Sequence, residues 1–427
     1  MRCKLVSISM LVALAACSDD PDPAGTQTDT GDEVGDTTTD TGDEIGDTAE
    51  TTTGTDTTDT TDTTDTTETS PPDPFCGDGN VDPGEECDDG NDNDFDGCLS
   101  DCTLVDLIEA PALEWQYFEI PGTQCMDGSP AGFAVNHNPN SSNVMIYLEG
   151  GGACFSDACD FMAFSIPFLP PSDGIFSRDN DANPVKDWTM IYVPYCSGDI
   201  HAGDAEAMLG GQIRQFRGYS NITAYLKQWV PSFPADRVLL TGISAGGFGA
   251  ALNSVQVAEA YGDAVELTVI DDSGPPLSND VIPPCLQTLF RETWNLDATV
   301  LDACPNCDPE DFATGFLEYA TTTYPNVRFG VFSNLADAVI STYMGAGWGN
   351  GQWNNCDGVS LPVPALTYTE DLFAIRTLNE DRISTFYVLG IGHTVLRIGY
   401  YLTSAGGVSV PEWVASVLDG EISQVGP

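Results

Sequence analysis

One serine near the middle of the chain lies in a sequence that could make it a nucleophile. Gly242, Ser244 and Gly246 form a G-x-S-x-G pattern within the segment LLTGISAGGFGAALN. The pattern alone is weak evidence in a glycine-rich chain, but here it joins a strand-like apolar run to a helix-like run. A serine at such a strand-to-helix turn presents its hydroxyl above a sheet, where it can attack a carbonyl carbon. We therefore predict that Ser244 is a nucleophile and not only a small residue in a tight turn.

A serine hydroxyl becomes reactive when a base takes its proton, and histidine is the usual base. The chain has three histidines. His137 lies in the loop-like segment NHNPN, His201 in SGDIHAGD, and His393 in GIGHTVL, just past the last strand-like run. In enzymes with this turn the histidine follows the nucleophile along the chain. His393 is therefore the predicted base. His137 and His201 are predicted to pack within loops, with pocket lining as the alternative for His201.

The acid that orients the base should follow a strand between Ser244 and His393. Asp271 and Asp272 come directly after VELTVI, and Asp337 comes after VRFGVFSNLA. The first two also suit a turn through DDSGPP, because aspartate side chains accept hydrogen bonds from nearby main-chain N–H groups. Position alone leaves the acid open among these three residues.

An oxyanion hole needs main-chain N–H groups directed at the charge that develops on the carbonyl oxygen. Ala245, the residue after the nucleophile, supplies one such group. The segment YLEGGGAC places three glycines directly after a strand-like run, which lets the main chain approach a ligand closely. Gly152 and Ala153 are therefore the predicted second donors, and a flexible turn without a binding role is the alternative.

Strand-like and helix-like segments alternate after residue 104. Six runs of continuous hydrophobicity end at Glu149, Tyr195, Gly242, Ile270, Ser333 and Gly390. Continuous hydrophobicity is typical of strands that are buried on both faces of a parallel sheet. Helical patterns lie between several of these runs, for example over residues 246–261 and 366–378. The alternation predicts one α/β domain over residues 105–427, built on a doubly wound, mostly parallel sheet.

Taken together, these motifs resemble the pectin acetylesterase/Notum carboxylesterase family over residues 110–420. The resemblance rests on the glycine loop EGGGAC, the segment YCSG, the turn GISAGG, and the late Asp337 and His393. It implies an α/β-hydrolase-like fold, serine carboxylic ester hydrolysis without a required cofactor, and the triad Ser244, Asp337 and His393. The glycine loop of the family carries a tryptophan where this chain has Ala153, so the acyl-chain preference is not carried over.

The predicted function is a serine carboxylesterase that removes short acyl groups, above all acetyl, from a polysaccharide. Two alternatives stay open. One is an inactive binding or adhesion module displayed at a surface, and the other is an esterase that acts on a lipid-linked or protein-linked acyl group. The formal net charge of −53, with 13 basic residues, argues against a nucleic-acid partner.

The first residues of the chain predict export and lipid anchoring. Residues 1–17 pair basic Arg2 and Lys4 with an apolar stretch that ends in Leu-Ala-Ala-Cys, which resembles a bacterial lipoprotein signal. Acyl chains on Cys17 would attach the protein to a membrane. The predicted membrane is the outer membrane, with the protein displayed at the cell surface. Residues 18–74 are almost entirely Thr, Asp, Glu, Gly and Pro, and are predicted to be a disordered tether because they cannot bury a core.

A short cysteine-rich module over residues 75–104 is predicted to separate the tether from the large domain. Its segment CGDGNVDPGEECDDGNDNDFDGCLSDC resembles the cysteine-rich repeat of myxobacterial surface proteins. With few apolar residues, such a segment holds its shape through disulfides or bound ions. Asp92, Asp94 and Asp96 alternate like the first half of a calcium loop, although the glutamate expected at the twelfth position is missing. A calcium site and a solvated turn are both compatible with this pattern.

Overall fold

The computed structural model describes residues 75–157, 159–161, 172–348, 356 and 360–427. The predicted lipoprotein signal with Cys17 and the predicted tether lie outside these residues. Among the described residues, no helix combines the length and the apolar character needed to cross a bilayer.

A nine-stranded sheet forms the centre of the large domain. Its strands, with four further strands in two small hairpins, are β1 (Trp115–Gln124), β2 (Pro130–Asn136), β3 (Asn143–Leu148), β4 (Thr189–Val193), β5 (Ala205–Leu209), β6 (Gln212–Phe216), β7 (Arg237–Ile243), β8 (Glu266–Asp272), β9 (Arg328–Asn334), β10 (Ile383–Val388), β11 (Ser404–Ala405), β12 (Val408–Ser409) and β13 (Gln424–Val425). The order in the sheet is β1-β2-β4-β3-β7-β8-β9-β10-β13. Only the pairs β1–β2 and β2–β4 of this sheet are antiparallel, so the sheet is mostly parallel, as predicted.

All six predicted strands are present, as β3, β4, β7, β8, β9 and β10, and they lie next to one another in the sheet. Their side chains are almost entirely buried, which explains the continuous hydrophobicity of their sequences. Strands β1 and β2 were not predicted, because the exposed and buried positions of β1 do not form a continuous apolar run. The hairpin of β5 and β6 was not predicted either, because most of it is partly exposed.

Helices cover both faces of the sheet. They are α1 (Gly218–Ser232), α2 (Ala245–Leu252), α3 (Ser254–Tyr261), α4 (Pro284–Trp294), α5 (Phe312–Thr323), α6 (Ala338–Tyr343), α7 (Ala365–Leu378) and α8 (Val410–Leu418). Buried side chains of α1, α3, α5 and α7 belong to the larger core on one face. Trp413 and its neighbours on α8 belong to the smaller core on the other face. The fold is therefore the predicted doubly wound α/β arrangement.

The helix predicted over residues 246–261 is two helices, α2 and α3, separated at Asn253. Asn253 is completely buried, and its side-chain Nδ2 donates to the carbonyl oxygens of His201 and Gly249 at 2.9 and 2.7 Å. Such local side-chain bonds compete with the regular pattern of a helix. The helix predicted over residues 366–378 is confirmed as α7.

The described cysteines form six disulfides. They join Cys76 to Cys102, Cys87 to Cys98, Cys125 to Cys196, Cys154 to Cys159, Cys285 to Cys356 and Cys304 to Cys307. The first two are confined to the cysteine-rich module, as its composition predicted. The others lie within the large domain, with a pairing that sequence alone could not give.

The structure does not support the predicted calcium site in the module. The Asp94 carboxylate forms a 2.5 Å ion pair with Lys227 on α1 and accepts the N–H of Ser100, so it fastens the module to the large domain. Among the described residues, the one group of three potential ligand atoms is Glu85, Asp88 and Cys102, and Cys102 is engaged in a disulfide. Asp92 and Asp96 do not form a ligand group with Asp94. The calcium prediction assumed a free carboxylate that a lysine in fact holds.

Candidate active site

Ser244 lies at the turn between β7 and α2, with φ 55° and ψ −121°. A non-glycine residue in this region of positive φ is strained and persists where its surroundings enforce it. Small neighbours make the turn possible here: a Cβ added to Gly242 or Gly246 would overlap the Leu148 carbonyl oxygen at the end of β3. The G-x-S-x-G pattern is therefore required by main-chain packing, and it places Ser244 at the carboxyl edge of the sheet.

His393 and Asp337 are in direct contact at the same edge. His393 Nδ1 lies 2.7 Å from Asp337 Oδ2. Asp337 is completely buried, and its other oxygen, Oδ1, accepts the N–H groups of Val339 and Ile340 at the start of α6. These bonds fix the carboxylate and leave one oxygen for the imidazole. Of the three acids that position left open, Asp337 is the one that contacts His393.

Asp271 and Asp272 have other partners. Asp271 Oδ1 accepts the N–H of Gly274 at 2.7 Å, and burial raises the pKa of its carboxyl well above the usual value. Asp272 bonds to the main chain that follows His393, at Val395 and Leu396. Both carboxyls are therefore part of the supporting structure and do not touch the imidazole of His393 through a hydrogen bond.

The end of β8 connects the Ser244 turn to the loop that carries His393. The N–H of Ser244 donates to the carbonyl oxygen of Asp272 at 2.8 Å. On the next residue, the Ser273 hydroxyl accepts the N–H of Thr394 at 3.0 Å. Asp272 and Ser273, at the end of β8, thus bind the main chain of Ser244 and of Thr394. Ser244 is the predicted nucleophile, and Thr394 directly follows the predicted base.

A small apolar cavity adjoins Ser244. Its lining consists of Gly152, Ala153, Phe155, Ile200, Ser244, Ala245, Phe248, Phe290, Trp294, Ile340, Tyr343 and Met344. Its volume is about 30 Å³. One water molecule needs a cavity of roughly 10–15 Å³, so this cavity suits a group of very few atoms. The sequence motifs indicated Gly152, Ala153 and Ala245, but not the aromatic residues of α4, which only the fold brings here.

The predicted oxyanion donors differ in their availability. Ala245 is the first residue of α2, where main-chain N–H groups have no partner within the helix. Gly152 has φ 84°, and a Cβ at this position would overlap the Asp160 carbonyl oxygen and the Tyr343 hydroxyl. The Ala153 N–H, in contrast, donates to the Asp160 carbonyl oxygen at 3.0 Å. Ala153 therefore lines the cavity without a free N–H, which corrects its prediction as a donor. Gly152 and Ala245 stay as the predicted donors.

The other two histidines lie in different surroundings. His201 is buried, with Nε2 2.9 Å from the carbonyl oxygen of Glu149, directly before the glycine loop. Burial lowers the pKa of His201 to about 4. His137 packs against Phe233, and burial lowers its pKa as well. Both are packing histidines, as predicted, and His201 supports the glycine loop from behind without lining the cavity.

Comparisons with known proteins place most of the large domain in one family. The model of the Pectinacetylesterase family matches residues 116–356, more than half of the chain, and the model of a domain of unknown function matches residues 63–103. The palmitoleoyl-protein carboxylesterase notum2 of Xenopus laevis is 32% identical over 168 residues, which are 35% of this chain and 34% of that protein.

Two further relatives have similar coverage. The palmitoleoyl-protein carboxylesterase NOTUM of Homo sapiens is 31% identical over 173 residues, 36% of this chain and 34% of that protein. Its counterpart in Drosophila melanogaster is 25% identical over 234 residues, 49% of this chain and 35% of that protein. The chain thus spans about a third of the length of these curated relatives.

Proposed function

The chain belongs to the pectinacetylesterase family, and on that premise we propose that it is a serine carboxylesterase that removes short acyl groups, above all acetyl, from a polysaccharide. Family membership indicates carboxylic ester hydrolysis. The observation that carries the finer proposal is the juxtaposition of Ser244 with a small apolar cavity at the sheet edge where Asp337 contacts His393.

The proposed reaction proceeds through an acyl-enzyme. The Ser244 hydroxyl attacks the ester carbonyl carbon while its proton passes to His393 Nε2, and Asp337 stabilises the imidazolium through Nδ1. The main-chain N–H groups of Gly152 and Ala245 donate hydrogen bonds to the carbonyl oxygen and stabilise the negative charge that develops on it. The C–O bond to the alcohol breaks as His393 returns the proton to the leaving oxygen. A water molecule, deprotonated by His393, then releases the carboxylic acid and restores Ser244.

The size of the cavity favours a short acyl group. Phe248, Phe290 and Met344 line the cavity beside Ser244 and also line a second apolar cavity. A long acyl chain would have to displace these side chains to pass from one cavity to the other. An acetyl group needs no such rearrangement, because its methyl group fits the first cavity.

The charge of the protein bears on the alcohol part of the substrate. With 66 acidic and 13 basic residues, the chain would repel a polyanion at long range. Neutral or cationic acetylated glycans suit this charge better than de-esterified pectin does. We therefore place an O-acetylated glycan of low negative charge at the head of the candidate substrates.

A second candidate is an esterase for a lipid-linked or protein-linked acyl group. The observations that favour it are the second apolar cavity and the names of the relatives, which are palmitoleoyl-protein carboxylesterases. A purely binding role is the weakest of the three, because adhesion requires neither a strained serine at the end of a strand nor a buried aspartate bonded to a histidine.

A panel of esters separates these candidates. Acid release would be measured from acetylated neutral glycans, from acetylated pectin, and from p-nitrophenyl esters of acetyl to palmitoyl length, each with the Ser244→Ala variant as the control. The proposal expects the highest kcat/KM for acetyl esters, with a decline as the chain lengthens. A maximum at long chains would favour the second candidate, and no serine-dependent hydrolysis would leave a binding role.

We also propose that the protein is exported and anchored in the outer membrane of the cell envelope. The proposed anchor is a lipidated Cys17, and residues 18–74 form the tether that links it to the folded part. The sequence features of residues 1–74 support this proposal. Cys17→Ser should move the protein from the membrane fraction to a soluble one, because lipid chains on Cys17 are the proposed attachment. Unchanged membrane association of the variant would contradict it.

A further inference from the structure

The main chain that follows His393 wraps around the carboxylate of Asp272. Asp272 Oδ2 accepts the N–H of Val395 at 2.6 Å and that of Leu396 at 2.8 Å. The remaining oxygen, Oδ1, accepts the hydroxyl of Ser273 at 3.0 Å. The same hydroxyl accepts the N–H of Thr394. Three consecutive N–H groups after His393 therefore converge on two adjacent side chains.

This arrangement is built into the strand end and does not belong to a mobile surface. Asp272 and Ser273 are both completely buried. Ser273 has φ 66° and Thr394 has φ 56°, so both sides of the contact adopt the strained left-handed conformation. Consecutive N–H groups that point inward at such a turn form a concave site for an anion. The anion here is the side chain of Asp272.

From this geometry we infer that Asp272 is a positioning residue for His393, acting as an internal anion that fixes the loop of the base relative to Ser244. The inference rests on the proposed function, because it assigns Asp272 a role through His393. Asp337 sets the direction of the imidazole ring, whereas Asp272 sets the position of the main chain that carries it. The strand end of Asp272 also holds the Ser244 main chain, since the N–H of Ser244 donates to the Asp272 carbonyl oxygen.

The ionised form of Asp272 is the one that suits three convergent donors. Burial raises the pKa of Asp272 to about 6, while the N–H groups of Val395 and Leu396, the Ser273 hydroxyl and the charge of His393 act to lower it. The other titratable groups that face it are Asp271, next to it on β8, and Tyr147 on β3. Protonation would add a hydrogen atom to a carboxyl that already receives three hydrogen bonds. Asp272 should therefore lose its charge within the folded protein as the pH falls through about 6.

The test uses Asp272→Asn in the full chain, with Asp371→Asn as its matched control. Asparagine keeps the size and one carbonyl oxygen but removes the charge. Asp371, on α7, is also buried, and its carboxylate accepts the main-chain N–H and the hydroxyl of Ser278. The loop that carries Ser278 does not carry His393. Hydrolysis of p-nitrophenyl acetate would be measured from pH 5 to 8, together with thermal unfolding of each protein.

We expect Asp272→Asn to lower kcat about 10- to 100-fold with little change in KM, because small displacements of a catalytic group cost factors of this size. Asp371→Asn should keep the wild-type kcat even where it lowers the thermal stability. The acid limb of log kcat/KM should be steeper in the wild type than in Asp272→Asn, because protonation of Asp272 below about pH 6 removes a charge that the variant already lacks.

Two outcomes would overturn the inference. One is a normal kcat and an unchanged acid limb in Asp272→Asn, and the other is an equal loss in Asp272→Asn and Asp371→Asn. If Asp272→Asn does not fold, Ser273→Ala takes its place, since it removes both the hydroxyl that donates to Asp272 and the acceptor of the Thr394 N–H. A normal kcat in a folded Ser273→Ala protein would then overturn the inference. Activity retained by Ser244→Ala would instead contradict the proposed function, so the two failures are distinguishable.

Discussion

Two loops at the carboxyl edge of the sheet each carry a histidine, but they give it opposite surroundings. His201 is 3% exposed and directs Nε2 at the carbonyl oxygen of Glu149. The side chain of His393 is 19% exposed and directs Nδ1 at the carboxylate of Asp337. A buried imidazole beside a neutral carbonyl stays uncharged, whereas an accessible imidazole beside a carboxylate can take up a proton and give it back.

The difference shows that the partner of a histidine, more than its position after a strand, indicates its role. His201 contributes a hydrogen-bond donor that holds the main chain before the glycine loop. In the proposed mechanism His393 contributes a proton acceptor. The account therefore predicts that substitutions at the two positions differ in kind: those at His393 affect chemistry, and those at His201 affect the stability and shape of the loop.

The largest expected effect comes from removing the base. His393→Ala should lower kcat for p-nitrophenyl acetate by about 10⁴- to 10⁶-fold, as triad losses do, with a normal unfolding temperature. Ser244→Ala should match it, because the two residues act as a unit. His137→Ala should keep near-normal activity. Comparable losses in His393→Ala and His137→Ala would remove the distinction on which the account depends.

The next largest loss of kcat is expected from replacing the acid, Asp337. Asp337→Asn keeps the shape of the side chain but replaces the carboxylate that faces His393 Nδ1. We expect kcat to fall by roughly 10³- to 10⁴-fold, because the imidazolium loses its stabilising charge and the favoured tautomer is lost. Steady-state kinetics would check this value. A loss smaller than that of Asp272→Asn would mean that the two aspartates have been assigned in the wrong order.

Substitutions at His201 should change the free energy of unfolding and its dependence on pH. The pKa of His201 is lowered to about 4, so below its usual value of 6.5 the unfolded chain binds a proton that the folded protein excludes. Its contribution to folding is therefore complete above pH 6.5 and is lost as the pH falls towards 4. His201→Gln, which can keep a donor for the Glu149 carbonyl oxygen, should lack this loss.

Urea unfolding of both proteins at several pH values measures the difference. The wild type should lose up to about 3 kcal/mol more than His201→Gln between pH 7 and pH 4, following the free energy equivalent of the pKa shift. His201→Ala, which has no donor, should lose stability at all pH values by roughly 1–3 kcal/mol. Parallel pH curves for wild type and His201→Gln would show that His201 titrates normally in the folded protein.

The smallest expected effect concerns chain-length preference. Ala153 lines the cavity beside Ser244, and its N–H is already paired with Asp160. Ala153→Trp should retain hydrolysis of acetyl esters but reduce that of butyryl esters further, because the indole would fill space that a longer chain needs. Pocket changes of this kind alter preference by about 1–3 kcal/mol per methylene. An unchanged ratio of the two rates would place residue 153 outside the acyl site.

Local sequence patterns predicted the parts of the fold and site that depend on neighbours along the chain. Continuous apolar runs predicted the parallel strands, and the G-x-S-x-G pattern predicted the turn at Ser244, because its glycines are required by main-chain contacts with β3. Chain order predicted His393 as the base, and the structure shows its contact with Asp337. The motifs could not give the aromatic wall of the cavity, since Phe290 and Trp294 reach it from α4 only in the folded domain.

Errors arose where distant groups compete for one side chain or N–H. Asp94 was a candidate calcium ligand, with a solvated turn as the alternative, but Lys227 pairs with it from another part of the chain. The Ala153 N–H was predicted as an oxyanion donor, but the Asp160 carbonyl oxygen accepts it. The role of Asp272 was equally hidden, because its partners follow His393 more than a hundred residues later. Spacing in a sequence does not record such competition.

The central claim is that Ser244 forms an acyl-enzyme with help from His393, and trapping that intermediate tests it most directly. The wild type, Ser244→Ala and His393→Ala would be mixed with excess p-nitrophenyl acetate, quenched with acid within the first turnovers, and analysed by peptide mass spectrometry. The account predicts one acetyl group on Ser244 in the wild type and none at this residue in either variant. An acetyl group on a different residue of an active wild type, or equal labelling of Ser244 without His393, would contradict it.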